Sequence, residues 1–443
     1  MKQQYLSRIA DKVLTMALEA SGAVLIEGPK WCGKTRTAEE RAASALYMQD
    51  PDQTASYLKA ADVKPSLLLQ GNTPRLIDEW QMAPVLWDAV RFAIDQRGES
   101  GQFILTGSAI PKDNAVLHTG TGRISRMVMR PMSLFESLES NGMISLKALF
   151  DRAIDGENGF PDENGFTAEC FSTLSIEALA FALTRGGWPA SVDTGTGQSG
   201  STKTAESAAL RRVYDYIDAV INIDVSRVDD VEKNPARVRA IMRSLARNVS
   251  TTAGITTIRD DIAGDEETIS EKTISVYLNA LRRIFVVEDL PAWNPAMRSK
   301  TALRTSPKRH FVDPSIATAV LRANPDSLLS DFNTFGLLFE SLCIRDLRVY
   351  AQAIDGEVFH YRDKSGLEAD AIVHLKDGRW GAIEVKMGAK EIEIAAGNLK
   401  VLRDRINLDK MKEPSFLMVL TGTQLGYRRD DGVYIVPIGC LRE

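Results

Sequence analysis

Residues 28–35 read Gly28-Pro29-Lys30-Trp31-Cys32-Gly33-Lys34-Thr35, a G-x-x-x-x-G-K-T loop. Its chemistry is phosphate binding. The glycines let the backbone curl so that N–H groups point at phosphate oxygens, Lys34 reaches the β- and γ-phosphates, and the Thr35 hydroxyl ligates Mg²⁺. All eight residues are therefore candidates for holding ATP. A decorative Gly-rich turn is the plain alternative. The context speaks against it: Ala23-Val24-Leu25-Ile26 reads as a buried strand before the loop, and Thr35 to Ala45 as a helix after it. The phosphates would then sit at a helix N-terminus.

Two further strands end in chemistry. Arg75-Leu76-Ile77-Asp78-Glu79 is an apolar strand closing on two acids. In phosphate-loop ATPases the strand beside the loop ends in an Asp that holds Mg²⁺ through water, and the next acid polarises the attacking water. Asp78 and Glu79 fit those roles by position. Gln102-Phe103-Ile104-Leu105-Thr106-Gly107-Ser108 ends in hydroxyls. At the carboxyl end of a strand, Thr106 or Ser108 would sense the γ-phosphate or place the water. A strand-to-helix cap is the plainer reading of both.

A second constellation lies near the C-terminus. Asp370 sits on the strand Leu367–Val373, and Glu384 and Lys386, two apart on Ala382–Lys386, share one face of the next strand. An acid on one strand with Glu-x-Lys on its neighbour is a metal-nuclease layout. Asp370 and Glu384 would hold Mg²⁺, Lys386 would orient water and stabilise phosphorane charge, and Glu340 on the preceding helix would complete the acids. The other reading is a buried ion pair between Lys386 and the acids.

The elements that must position these residues follow from periodicity. Residues 1–20 read as an amphipathic helix. Residues 21–135 alternate strand and helix, with strands at 23–27, 45–48, 75–79, 102–106 and 126–130, which predicts a parallel sheet with helices on both faces. Residues 155–167 and 194–204 are loops by composition. The segments 172–192 and 206–226 are helical. Between Arg237 and Phe311 the pattern resembles a winged helix: helices at 237–248, 256–262 and 270–284, a strand at 285–290, then a wing. Residues 298–310 carry five bases and no acid, a candidate edge for the phosphates of DNA or RNA; a packing module is the alternative. From 330 the order is a helix to about Tyr350, strands at 357–362, 367–374 and 380–386, a helix at 390–405, and strands at 416–421 and 433–437.

A length of 443 residues allows two to four domains, and a net charge of −5 excludes a global basic field, so any nucleic-acid contact must be local. The four cysteines are scattered without a CxxC pair, which argues against a zinc site or disulfide framework and fits a reducing cytoplasm. No apolar run reaches membrane-spanning length, and the N-terminus lacks a signal-peptide core. No membrane partner is expected.

The whole chain resembles a family of prokaryotic AAA-type ATPases with a winged-helix-like middle and a C-terminal domain of unknown function. The resemblance rests on Gly28–Thr35, Leu76–Glu79, Leu105–Ser108, Gly120–Arg123, Arg130–Leu134, Gly186–Pro189, Phe311–Pro314 and Glu368–Lys386. It implies an α/β fold: a P-loop NTPase sheet, a helical and winged-helix region, then a restriction-endonuclease-like α/β domain that looks like the PD-(D/E)xK nuclease-like superfamily. The implied division is an N-terminal helix at 1–20, an ATPase core at 21–150, a helical region at 151–230, a winged-helix-like part at 231–312 and the nuclease-like part at 313–443. It implies ATP hydrolysis with Mg²⁺, Asp78 and Glu79 in the Walker B roles, and Arg123 or Arg126 as an arginine finger. A finger given in trans requires a homo-oligomer; a surface ion-pair arginine is the alternative. Three functions remain open: an ATPase motor or switch, an ATP-regulated metal-dependent nuclease, and a non-catalytic scaffold that binds nucleic acid or protein.

Overall fold

The strand Ala23–Glu27 (β1) is an unbroken apolar run, buried along its whole length, as a central parallel strand covered on both faces must be. The same logic forms Arg75–Asp78 (β3) and Phe103–Gly107 (β4), with Ser44–Tyr47 (β2) and Ile124–Val128 (β5) at the edges. The computed structural model describes residues 5–108, 119–155, 169–195, 203–228, 232–263, 269–295, 306–407 and 411–443. The chain divides into two compact units. One is Met1–Pro131 with Asn222–Lys233 and Asn279–Val286; the other is Met132–Ile221 with Asn234–Leu278 and Val287–Glu443.

In the first unit the sheet order is β2-β3-β4-β1-β5, all parallel. This corrects one expectation: the Asp78 strand does not lie beside the loop strand, because β4 is interposed. The helix after the loop is also shorter than expected, Lys34–Glu39 rather than Thr35–Ala45, since Ser44 and Ala45 are drawn into β2. The sheet's core includes Leu25, Ile77 and Leu105 with Trp80 and Trp87, whose ring centroids are 4.9 Å apart.

The second unit holds a seven-stranded mixed sheet. In chain order its strands are Glu169–Phe171 (β7), Gly356–Arg362 (β8), Glu368–Leu375 (β9), Trp380–Lys386 (β10), Phe416–Thr421 (β11), Leu425–Arg428 (β12) and Tyr434–Pro437 (β13). The spatial order is β7-β12-β13-β11-β10-β9-β8. A separate parallel pair joins Ile144–Ser145 (β6) to Leu441–Arg442 (β14). Neither strand of that pair was expected, nor were β7 and β12 of the large sheet, and β7 comes from outside the 313–443 segment. The long helix Phe332–Gln352 runs ahead of β8, and Ile392–Arg405 packs Leu399 and Leu402 into the sheet's core.

The three expected helices of the middle segment are present at Pro235–Arg247, Ile255–Ile262 and Glu271–Arg283. In place of the expected strand at 285–290 there are isolated antiparallel bridges, Val287 to Phe311 and Leu290 to Lys308. Of the basic edge, Arg298, Lys300 and Arg304 lie outside the described residues, while Lys308 and Arg309 are buried. Arg309 pairs with Asp289 at 2.8 Å. Those two bases are turned inward by ion pairs and cannot form a phosphate-binding edge.

Candidate functional site

The loop at 28–35 is shaped by backbone that only certain residues tolerate. Gly28 has φ +151°, and a Cβ there would stand 2.1 Å from the Met129 carbonyl oxygen, so no larger residue fits. Gly33 is left-handed and opens the Lys34–Glu39 helix. Lys34 is buried and folds back, its Nζ donating to the Gly28 and Pro29 carbonyls at 2.9 and 2.7 Å. It is thus a cation stored inside the loop that would hold phosphate. Cys32 is buried against Met129, a filler rather than an exposed thiol. Trp31 is exposed.

Three strand ends converge beside the loop. The Thr35 and Thr106 hydroxyls both donate to Asp78 Oδ1, at 2.7 and 2.6 Å. The Glu79 N–H donates to Thr106 Oγ1 at 3.2 Å. Glu79 is left-handed, φ 54°, a backbone cost that non-glycine residues bear mainly at functional sites. Ser108 Oγ donates to its Oε1 at 2.9 Å, and Gln81 Nε2 to its Oε2. Thr106, fully buried, has its hydroxyl committed to Asp78 and Glu79; it positions the acids rather than reaching into the site. A hydroxyl and a carboxylate meeting at 2.7 Å are hard oxygen donors of the kind Mg²⁺ takes, so Thr35 and Asp78 fit that ion.

Sequence reading missed three supports. Arg8, just before the helix Ile9–Ala20, donates to the Cys32 and Arg130 carbonyls, each at 2.9 Å, and braces the loop from behind. Asp224, at the end of the π-helical turn Val220–Asp224, pairs with Lys30 at 2.5 Å. Gln81 clamps Glu79. None belongs to a contiguous motif.

The two finger candidates are both engaged. Arg126 pairs with Glu27 at 3.1 Å and lies 5.2 Å over the Trp87 ring. Burial raises the Glu27 carboxyl, and Arg126 counters it. Arg123 pairs with Asp95 at 2.8 Å. Its carbonyl accepts from Ala23 at the start of β1. That places it a strand length, roughly 16 Å at 3.3 Å per residue, from the loop of its own chain.

In the second unit, Glu340, Asp370, Glu384 and Lys386 do come together, with an unexpected fifth member. Lys308 donates to Glu340 at 2.8 Å and to Asp370 at 2.9 Å. Lys386 lies 2.8 Å from Glu384 and 3.6 Å from Asp370, and the Val385 N–H donates to Asp370 Oδ2 at 2.9 Å. An ammonium therefore stands where a divalent cation would bridge Glu340 and Asp370. The oxygens of Asp370 are spent on Lys308 and Val385, and Glu384 is balanced by Lys386. This donor set does not fit the Mg²⁺ expected at Asp370 and Glu384. Among the described residues no cluster of three or more His, Cys, Asp or Glu is arranged to hold a metal.

Two ammoniums face three carboxyls, so full ionisation would leave one uncompensated negative charge. Glu340 and Glu384 are pushed up to about 8 by burial and by the Asp370 charge. Burial would also raise Asp370, but Lys308 and Lys386 hold it well below the usual range. The linkage has a definite sign. A glutamate near 4.3 when unfolded and about 8 when folded contributes fully below the lower value and loses that contribution as pH rises through the upper. Unfolding by urea is therefore expected to become easier between pH 5 and about 8.5, with a shallower decline in Glu340→Gln. A pH-independent midpoint would contradict this account of the cluster.

A family model for an AAA domain matches residues 20–138. Models for two domains of unknown function, DUF8612 and DUF4143, match residues 176–327 and 335–441. Among curated proteins none matches the chain. Among solved structures, a Walker-type ATPase of Pyrococcus abyssi is 15% identical with a TM-score of 0.40, covering 72% of this chain and 97% of its own. The replication initiator DnaA, bound to AMPPCP and single-stranded DNA, is 14% identical with a TM-score of 0.29, covering 64% and 90%. No helix among the described residues is long and apolar enough to cross a membrane. Residues 20–138 thus match the model of an AAA domain, and their parallel sheet and phosphate loop agree with that match.

Proposed function

We infer that the chain is a Mg²⁺-dependent ATPase of AAA type that works as a switch or motor, hydrolysing ATP to ADP and phosphate. The observation that carries this reading is the hydrogen-bonded chain from Thr35 through Asp78 and Thr106 to Glu79 and Ser108 beside the loop. The loop amides and Lys34 would bind the phosphates, Lys34 exchanging its two carbonyls for phosphate oxygens. Thr35 and Asp78 would hold Mg²⁺, which when bound supplies charge neutralisation on the β- and γ-oxygens. Glu79, held by Ser108 and Gln81, would orient and polarise the water. Arg123, far from its own loop, suits a neighbouring copy's γ-phosphate, which makes a homo-oligomer part of the reading. Lys34→Ala is expected to weaken binding of a fluorescent ATP analogue at least ~100-fold, the scale of losing a charge-assisted contact of 1.5–3 kcal/mol together with loop distortion. Unchanged affinity would remove the assignment.

For the C-terminal cluster, the Lys308 ammonium between Glu340 and Asp370 favours a non-catalytic, charge-compensated core over a nuclease. DNA and RNA incubated with the chain in Mg²⁺ or Mn²⁺ are expected to stay intact. Cleavage that is lost in Lys386→Ala would overturn that reading and restore the metal-nuclease one.

A further inference from the structure

A groove in the second unit is lined by no residue of either constellation. It is lined by the helices Lys203–Ala219 and Pro235–Arg247 and by the end of Pro314–Leu321, and has a volume of about 670 Å³. That is within the roughly 300–1,000 Å³ range of ligand pockets. Among the described residues, four guanidiniums line it, Arg237, Arg239, Arg243 and Arg322, with one carboxylate, Asp218. Asp218 pairs with Arg239 at 3.4 Å, with both side chains half exposed. Among the described residues no acid pairs with Arg243 or Arg322. Two guanidiniums in one concavity, with no acid paired to either among the described residues, give it a positive potential that attracts anions.

Arg322 adds an independent sign. It follows the helix Pro314–Leu321 with φ 59° and ψ 30°, the left-handed cap that glycine or asparagine normally takes. An arginine there bears backbone strain, and strain kept in a charged groove fits a functional demand for that side chain. Between the guanidiniums the wall is apolar: Ile217, Ile221, Ile262 and Leu321, with Tyr214 alongside. Planar guanidiniums grip phosphate with two hydrogen bonds at once, while apolar and aromatic surface accepts the face of a base.

We propose that this groove binds a nucleotide unit, phosphate on the arginines and base against the isoleucines and Tyr214. A single-stranded nucleic acid with unstacked bases is the source the shape favours, because duplex bases cannot enter a concave pocket. The site does not rest on the ATPase reading. Its test uses the full chain carrying Lys34→Ala, so that the phosphate loop does not contribute. Fluorescein-labelled oligo-dT and labelled AMP are titrated at 50 and 200 mM salt. Oligo-dT is expected to bind, at least ~10-fold more weakly in Arg243→Glu/Arg322→Glu, with the salt slope reduced by about 1.4 for two lost phosphate contacts on a single strand. Binding of AMP alone, lost in the same variant, would assign the site to a free nucleotide.

Arg322→Gly separates function from folding: it is expected to retain or raise the thermal midpoint, by relieving the left-handed strain, while weakening binding. In an otherwise wild-type chain, ATP turnover should be unchanged by either variant. Unaltered binding in the double variant, no binding of either probe at 50 mM salt, stronger binding of duplex, or equal displacement by poly-glutamate would each overturn the proposal.

Discussion

Glu79→Gln is expected to lower phosphate release from ATP by about 10²–10⁴-fold, the range for loss of a positioned general base, while ATP binding persists. The reasoning is geometric. Glu79 closes β3 beside the loop, with its carboxylate held at Oε1 by Ser108 and at Oε2 by Gln81. Glutamine keeps the size and one acceptor but loses the charge that, on the proposed reading, polarises water. Asp78, which accepts from Thr35 and Thr106, is untouched, so the proposed phosphate and Mg²⁺ contacts would remain. Parallel assays of phosphate release and ATP-analogue binding distinguish the outcomes. Turnover within tenfold of wild type would show that another group activates the water.

The largest stability effect is expected at Asp313. This side chain is fully buried in the second unit. Its Oδ2 accepts from Arg345 at 2.8 Å and from the Gly187 N–H at 3.0 Å, and its Oδ1 caps the following helix through the Ser315 N–H at 2.9 Å. Arg345 also pairs with Asp346 at 2.7 Å, and Asp346 accepts from the Leu134 N–H at 3.0 Å. Gly187 lies so close to Met132 that a Cβ would be 2.1 Å from its carbonyl oxygen. Removing Asp313 leaves a buried guanidinium half paired and two N–H groups without acceptors. Breaking a buried pair in this way costs about 3–5 kcal/mol, a large part of the ~5–15 kcal/mol that holds a domain together. Urea unfolding of Asp313→Ala should show that loss, and a cost under about 1 kcal/mol would mean that the knot relaxes freely.

This knot also explains what the sequence could and could not reveal. Arg130–Leu134, Gly186–Pro189 and Phe311–Pro314 stand out in the sequence as separate motifs, yet the structure joins their Leu134, Gly187 and Asp313 around one buried charge network. Their distinctiveness is structural, since it comes from close backbone approach and paired burial rather than from chemistry on a ligand. The central strands were legible because burial on both faces leaves an apolar run that stops at the loop or at a polar group: β1 just before Gly28, β3 at Asp78, β4 at Thr106. Their spatial order was not, because nothing in β4 itself says that it lies between β1 and β3. β7 and β12 were missed because Glu169–Phe171 and Leu425–Arg428 are too short to show a period.

Lys308 was misread for a different reason. In a run of bases its charge suggested solvent, whereas its partners, Glu340 and Asp370, are 32 and 62 residues away. Charge type does not encode burial; only the tertiary fold places a counter-charge. The same limit hid Asp224, which meets Lys30 across 194 residues.

The most direct test of the central claim is steady-state phosphate release from ATP by the wild-type chain, with Mg²⁺ titrated against EDTA, beside Lys34→Ala at equal concentration. Release that requires Mg²⁺ and disappears in the variant is the predicted result. Equal release by Lys34→Ala, or none from wild type at any Mg²⁺ concentration, would contradict it.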